Sequence, residues 1–453
     1  MVLYLFGISS FNIIFFYSTF LYVVIITTWL INCDDKLNYF TIILILSYVY
    51  YFGQYLINYF GFDFASQYTI KNTYSNTEIN QTALYILLNI VTLHIGVLVF
   101  NGREPSTKKR SSLNRRDAGA FSMVVAVLLP ISFVCEVLIL VFKIRLNVVY
   151  GYSIALNTTY NGAGSLSYIV NFISTLFLPS VFAGLIVSKG KKVNFLVWLI
   201  FLIYMILYFM SGSRYEVATA LAGILLLYHF YYKKIKWKSM LLLAGCGLLF
   251  LFVFSVMSNM RRISNYGNTS DIMVILKTAL SNVGESNFLT EVISVAGFQI
   301  LACTAIFKYC PSTQPFTYGM YYLGGIVRVI PNLFGGNNIF ITDSIDTIFR
   351  QYLTKTYGMG SSFIMEAYYN FGWCGILVML FYAYLIVFLC RSMQEIRNGT
   401  NQDQILMYFV FYIAATSMFW IRSDARFLLR EIVYYYFGIK VLVSIVKGTF
   451  LRH

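Results

Sequence analysis

The chain has 453 residues, of which 59% are hydrophobic, 19% aromatic and only 11% charged. Soluble domains carry about a quarter charged residues, so this composition excludes a soluble globular protein. The formal charge of +15, from 33 Lys and Arg against 18 Asp and Glu, is not a nucleic-acid footprint, because no soluble domain presents a basic face. It points to loops held on the cytoplasmic side of a membrane, with a smaller basic set left for an anionic ligand.

Met1 to Ser10 carries no Lys or Arg and no small-residue cleavage site follows, so the first apolar run reads as an uncleaved span. Runs of about 20 apolar residues, each able to cross a hydrocarbon core of about 30 Å as a helix, are expected at Gly7 to Ile31, Leu37 to Phe60, Thr82 to Phe100 and Gly119 to Phe142. Further runs lie at Ser167 to Ser188, Phe195 to Met210, Tyr215 to Tyr232 and Ser239 to Ser258. The last three are Ser361 to Cys390, Gln404 to Ile421 and Phe427 to Lys447. The expected fold is an all-α integral membrane protein with about eleven transmembrane helices.

Basic clusters orient these spans, because Lys and Arg resist translocation. They are Arg103, Lys108, Lys109, Arg110, Arg115 and Arg116; Lys189, Lys191 and Lys192; and Lys233, Lys234, Lys236 and Lys238. Every second loop is basic, which puts the N-terminus outside, the C-terminus in the cytoplasm and residues 259–360 outside as one large loop. Residues 1–453 then form a single membrane domain, with no internal repeat and no linker. The arginines on the external side are Arg145, Arg214, Arg261, Arg262, Arg328, Arg350, Arg422, Arg426 and Arg430, whereas the inner clusters are mostly lysine. Arginine's planar fork binds phosphate bidentately, so the bias suggests a phosphate-bearing lipid or substrate there, against snorkelling at helix ends.

Seven cysteines are scattered without metal or redox spacing, and only Cys303 and Cys310 are close enough to pair within the loop. Three histidines, His94, His229 and His453, are too few for a His-rich metal site. No P-loop is present.

Four constellations carry the remaining chemistry. Ser211-Gly212-Ser213-Arg214 turns tightly between spans six and seven and leaves Arg214 at a helix N-terminus, where a cation opposes the macrodipole and a bound anion would compensate both. Arg422, Arg426 and Arg430 are spaced i, i+4, i+8, one stripe if a helix begins by Arg422, with Asp424 and Glu431 near enough to relieve repulsion. Tyr318, Tyr321 and Arg328 lie in a Gly- and Tyr-rich stretch ending at Pro331, whose rings can stack on sugar faces or sit in an interfacial belt. Glu366 lies about a turn and a half into an apolar helix, where an ionisable group is costly and suits a general base; Tyr369 and Asn370 at i+3 and i+4 are placed to orient it. A purely structural Glu–Arg pair is the other reading of Glu366. Glu136, Glu285 and Glu291 read as structural or solvated.

Gly212-Ser213-Arg214 in a short outer turn, the large external loop, and the pattern Ser-x-x-x-x-Glu-x-Tyr-x-Asn-Phe-Gly-x-x-Gly from Ser361 to Gly375 together resemble the Wzy-type polymerases of O-antigen and capsular polysaccharide repeat units. The resemblance implies a GT-C-like membrane glycosyltransferase of the bacterial cytoplasmic membrane, with short interfacial helices in its loop. It would transfer a growing glycan from undecaprenyl pyrophosphate to another lipid-linked repeat unit on the outer face. No metal or other cofactor is expected. Arg214, Arg328, Arg422 and Arg426 would meet the pyrophosphate and Glu366 would activate the acceptor hydroxyl. Tyr318, Tyr321, Tyr369 and Asn370 would contact substrate. A chain-length regulator and a flippase are the implied partners, beside membrane lipid. The related O-antigen ligases look for a histidine where this chain has Glu366. A flippase, the reading from another class, would show related halves and broken midplane helices.

Overall fold

The computed structural model describes residues 11–33, 35–61, 73–102, 115–150, 166–188, 190–211, 214–236, 272–285, 288–327, 343–350 and 360–450, with single positions at 158, 160, 329 and 352 and scattered ones between 238 and 256. The described residues are helical, with no strand among them. In lipid there is no water to take up backbone N–H and C=O groups, and a helix satisfies them within one segment.

α1 (Phe11–Asn32) and α2 (Tyr39–Tyr59) form a hairpin whose second helix starts at Asn38, whose side chain accepts the Thr41 N–H at 2.9 Å. α3 (Asn76–Asn101) begins with a capping box between Ser75 and Glu78. α4 (Arg115–Tyr150) is the longest. α5 (Ser167–Ser174) and α6 (Phe177–Val187) are bent by 41° at their junction. α7 (Lys191–Ser211) and α8 (Arg214–Leu227, continued by a wider turn to Tyr232) follow. The next described helices are α9 (Ile272–Glu285), α10 (Phe288–Gly297), α11 (Gln299–Tyr309), α12 (Met320–Val327) and α13 (Ile345–Arg350). α14 (Phe363–Phe371) runs through a tight turn into α15 (Val378–Arg397). α16 (Gln404–Ser417), α17 (Leu428–Glu431) and α18 (Ile439–Phe450) close the chain.

Among the described residues eight helices are long and apolar enough to cross a membrane, or nine if the bent α5–α6 pair counts as one span. This is a multi-pass membrane protein. Most of the runs read from the sequence fall on these helices. The differences are informative. The run Tyr215 to Tyr232 is a shorter apolar helix, Glu216–Tyr232. The run Phe427 to Lys447 is divided into α17, a wider turn and α18. The run Ser239 to Ser258 lies largely outside the described residues. Within 259–360 sits Val292–Tyr309, apolar and long enough to be a span. It meets Gly53 and Gln54 near the end of α2 through Ile293 and Gly297, and Glu78 at the start of α3 through Lys308 at 3.0 Å. Both contacts lie at the same end of the bundle.

Small residues set the closest helix approaches. A Cβ at Gly96 would lie 2.7 Å from Ala383 on α15, and one at Gly223 would lie 2.5 Å from Ala415 on α16. Without a hydrophobic drive between helices in lipid, such close backbone packing is what holds them together. Tyr51, Tyr55, Tyr85 and Tyr408 fill the interior, while Phe20, Phe195 and Leu377 face outward as lipid-facing side chains do.

One end of the bundle is closed by a buried clasp. Asp35, between α1 and α2, accepts hydrogen bonds from Arg397 at the end of α15 and from His229 Nε2 at 3.0 Å. His229 Nδ1 accepts the Ile235 N–H at 3.1 Å, so the ring proton sits on Nε2 and points at Asp35. Burial pushes the Asp35 carboxyl up, but the Arg397 and His229 hydrogen bonds outweigh it and hold the group below its usual value. At this end too, Arg391 donates to the carbonyls of Phe100 and Asn101 at 2.8 and 2.9 Å. His94 is a buried polar contact to Thr28 at 2.9 Å. Cys303 and Cys310 are both buried and unpaired.

Candidate active site

The opposite end of α2 leads to the candidate site. Ser362 caps α14 by accepting the Ile364 N–H at 3.2 Å. Tyr51 of α2 donates to the Ile421 carbonyl at 3.0 Å, so the Ser362 hydroxyl must donate to Tyr51 across their 2.6 Å contact. This ties the start of α14 to the turn that follows α16. Gly372 ends α14 with φ +57, and the Phe316 ring would lie 2.9 Å from any Cβ there, so only glycine fits.

Glu366 is fully buried on α14 and reaches the 422–427 turn, where its Oε2 accepts the Ala425 N–H at 2.7 Å. Its Oε1 is buried with no hydrogen-bond partner. Beside it, Asp424 Oδ2 accepts the Tyr321 hydroxyl proton and lies 3.5 Å from Arg426 Nε. Burial, then the Asp424 charge, pushes the Tyr321 phenol up, so it stays the donor. The Tyr321 oxygen in turn accepts the Ile345 N–H at 3.1 Å. The Arg426 guanidinium lies 4.4 Å from the Tyr321 ring centroid and 4.9 Å from that of Phe427, and its Nη1 donates to the Asp343 carbonyl at 3.3 Å. The buried guanidinium thus pairs with Asp424, and both charges act on the neighbouring Glu366.

The structure brings together Glu366, Arg426, Tyr321, Tyr369 and Asn370 of the residues expected from the sequence. Three of them act differently from expectation. Asn370 does not orient the Glu366 carboxylate; its amide donates to the Glu366 backbone carbonyl at 2.8 Å and its Oδ1 accepts the Thr317 hydroxyl at 2.8 Å. Tyr369 packs its ring on Tyr321 and Phe349, with centroids 5.7 and 5.4 Å apart. Arg426 is only 5% exposed and is enclosed by Asp424, Tyr321 and Phe427, an unsuitable place for a pyrophosphate contact.

The expected stripe of three arginines does not form, because the chain turns between Ile421 and Leu428 instead of continuing as a helix. Arg422 is exposed, Arg426 buried, and Arg430 lies over the Phe427 ring at 4.6 Å. Arg422 keeps its place beside the site: its carbonyl accepts the Ser361 N–H at 3.0 Å. Tyr318 is 79% exposed, on a turn pinned to the end of α14 by its N–H to Asn370 O at 2.9 Å. Arg214 begins α8, and Arg328 lies outside the described residues. Glu136 is buried within α4, beside Tyr208 of α7 and Ser174 of α5.

In the sequence Asp424 reads only as charge relief for the arginines. Gln299 and Tyr51 gave no motif, although an amide inside the apolar run Val292–Tyr309 is the kind of intramembrane polar residue that marks a site. A cavity of about 20 Å³ lined by Tyr39, Ile43, Phe363, Ser417 and Ile421 flanks the site. It has room for a water molecule and none for a sugar ring. Among the described residues no group of three His, Cys, Asp or Glu side chains is placed to hold a metal ion.

The family model for the O-antigen polysaccharide polymerase Wzy matches residues 1–453, the whole chain. Among curated proteins and among solved structures there is no match.

Proposed function

The chain belongs to the O-antigen polysaccharide polymerase Wzy family, and from that premise we propose that it joins undecaprenyl-pyrophosphate-linked repeat units on the outer face of the cytoplasmic membrane, with Glu366 as the general base. Family membership makes it a polymerising glycosyltransferase acting on lipid-linked oligosaccharide repeat units. In the proposed step the acceptor hydroxyl oxygen attacks the anomeric carbon of the donor glycan. The bond from that carbon to the pyrophosphate oxygen breaks, the hydroxyl proton passes to Glu366 Oε1, and undecaprenyl pyrophosphate leaves with the electron pair. Charge on the leaving group is met by arginines, without a metal: exposed Arg422 beside the site, Arg214 at the start of α8, and Arg328.

The observation that carries this reading is the Glu366 carboxylate itself. The Ala425 and Arg426 backbone N–H groups hold the carboxylate to the turn, and Oε1 is buried without a partner among the hydrogen bonds there. Buried polar atoms are nearly always hydrogen-bonded, and an unpartnered one calls for a water, an ion or a reacting group to complete it. Arg426 and Asp424 hold the turn that presents the Ala425 N–H, so Arg426 acts by positioning. The basic loops support an N-terminus outside and a C-terminus inside, and export of repeat units and control of chain length make a flippase and a chain-length regulator the natural partners.

The test is complementation of a deletion host with wild type or Glu366→Gln at matched membrane levels, with surface glycan resolved on a gel. Wild type restores the ladder and Glu366→Gln leaves single repeats. A normal ladder from Glu366→Gln removes the base assignment, and lipid-linked repeats trapped on the cytoplasmic side of the deletion host would indicate a flippase. In isolated membranes, polymerisation persists in EDTA; a loss reversed by added Mg²⁺ contradicts the metal-free reading.

A further inference from the structure

Glu366 Oε1 is not the only unsatisfied atom at the 422–427 turn. Gln299 Oε1 and Ser361 Oγ are also buried without a partner, in side chains only 2% and 3% exposed. Their positions are fixed from the backbone. The Gln299 amide nitrogen donates to the Ser361 carbonyl at 2.5 Å, which determines that the free end of the amide is the oxygen. Gly360, with φ +80, brings that oxygen and the Arg422 carbonyl to within 3.0 and 3.1 Å of the place a Cβ would occupy. Ser361 donates its N–H to the Arg422 carbonyl, and Glu366 takes the Ala425 N–H three residues further along the same turn.

Leaving a buried donor or acceptor unmade costs about 1–3 kcal/mol each, so several at one turn call for water or a ligand to supply the missing bonds. The donor and acceptor inventory says which kind. Gln299 Oε1 and Glu366 Oε1 can only accept, and Ser361 Oγ can both donate and accept. A phosphate offers acceptors and negative charge, which two accepting oxygens would repel. A sugar offers several hydroxyls, each a donor and an acceptor.

We propose that Gln299 and Ser361 form a subsite for the hydroxyls of the acceptor's terminal sugar, holding it against Glu366. This rests on the polymerase reading above and names positioning residues for its acceptor. The pyrophosphate is left to the exposed Arg422 side of the turn.

The probe is the repeat-unit oligosaccharide released by mild acid from the lipid-linked repeats of the deletion host, radiolabelled and titrated onto the full chain in nanodiscs. Wild type binds it saturably, and Gln299→Leu and Ser361→Ala each weaken binding about tenfold, the size of one lost hydrogen bond at the upper end. Inorganic pyrophosphate does not compete. Unchanged affinity in both variants, competition by pyrophosphate at this site, or no saturable binding by wild type overturns the proposal. Should Gln299→Leu fail to reach the membrane, Ser361→Ala, which removes one oxygen, decides alone. The result is separable from the base assignment. Weakened binding in these variants together with a normal ladder from Glu366→Gln would keep the sugar subsite and discard the base; unchanged binding with a lost ladder would do the reverse.

Discussion

The two ends of the helical bundle each bury an acid beside an arginine, and they finish the job differently. Around Asp35 the network is closed. The carboxylate takes Arg397, His229 and the Leu37 N–H, and the far side of the His229 ring takes the Ile235 N–H. Around Glu366 the network is open, with unpartnered oxygens on Glu366, Asp424, Ser361 and Gln299. A closed network fastens helix ends together, since every group it buries is satisfied by protein. An open one holds its groups rigidly while keeping bonds in reserve for something that arrives. The same residue types therefore fasten helices at one end and, in the proposed mechanism, serve chemistry at the other.

That contrast can be broken most forcefully at the closed end. Asp35→Ala strands Arg397 and His229 without their shared acceptor and should cost about 3 kcal/mol of stability, the lower range for breaking a buried pair, since Arg397 retains partial access to solvent. Thermal unfolding in detergent reads this as a lowered midpoint, and the protein that remains folded should turn over at the wild-type rate. A normal midpoint would mean that the clasp holds nothing.

A smaller effect sharpens the open end. Asp424→Asn removes the carboxylate next to Arg426, and Arg426 and Asp424 both act electrostatically on Glu366. With its own partner neutral, the guanidinium pairs with Glu366 and makes it a poorer base. Turnover should fall about tenfold, or about 1.4 kcal/mol, with oligosaccharide binding unchanged. An equal fall in both would place Asp424 in binding instead.

The smallest effect is one of pH. Because the folded Asp35 carboxyl sits below its ordinary value, its contribution is fully present above the unfolded value of about 3.9 and is lost as pH falls below that. The wild-type unfolding midpoint should drop on acidification below about pH 4, and Asp35→Asn should lack that part of the drop. Identical pH profiles would deny Asp35 its ion pair.

Much of this was legible in the chain because the signals are local. Apolar length announced the helices, and a carboxylate at Glu366 inside an apolar run singled out the candidate site, since both rest on the cost of polar groups in lipid. What stayed hidden is non-local. The arginine spacing at Arg422, Arg426 and Arg430 satisfied a helical rule, but the chain turns there and scatters them between exposed and buried positions. Asn370 does meet Glu366 at i+4, though through the backbone carbonyl of the pair. The Ala425, Asp424 and Gln299 partners come from segments about 60 residues or more away, and no spacing rule joins them. Residues 259–360 were bounded by the apolar runs on either side, and the candidate span Val292–Tyr309 lies within them.

The most direct measurement places both ends in one experiment: turnover of lipid-linked repeat units and unfolding midpoint on the same nanodisc preparations of Glu366→Gln and Asp35→Asn. Glu366→Gln should lose at least about a hundredfold in turnover while unfolding like wild type, and Asp35→Asn should unfold earlier while turning over normally. Wild-type turnover by Glu366→Gln would contradict the base assignment.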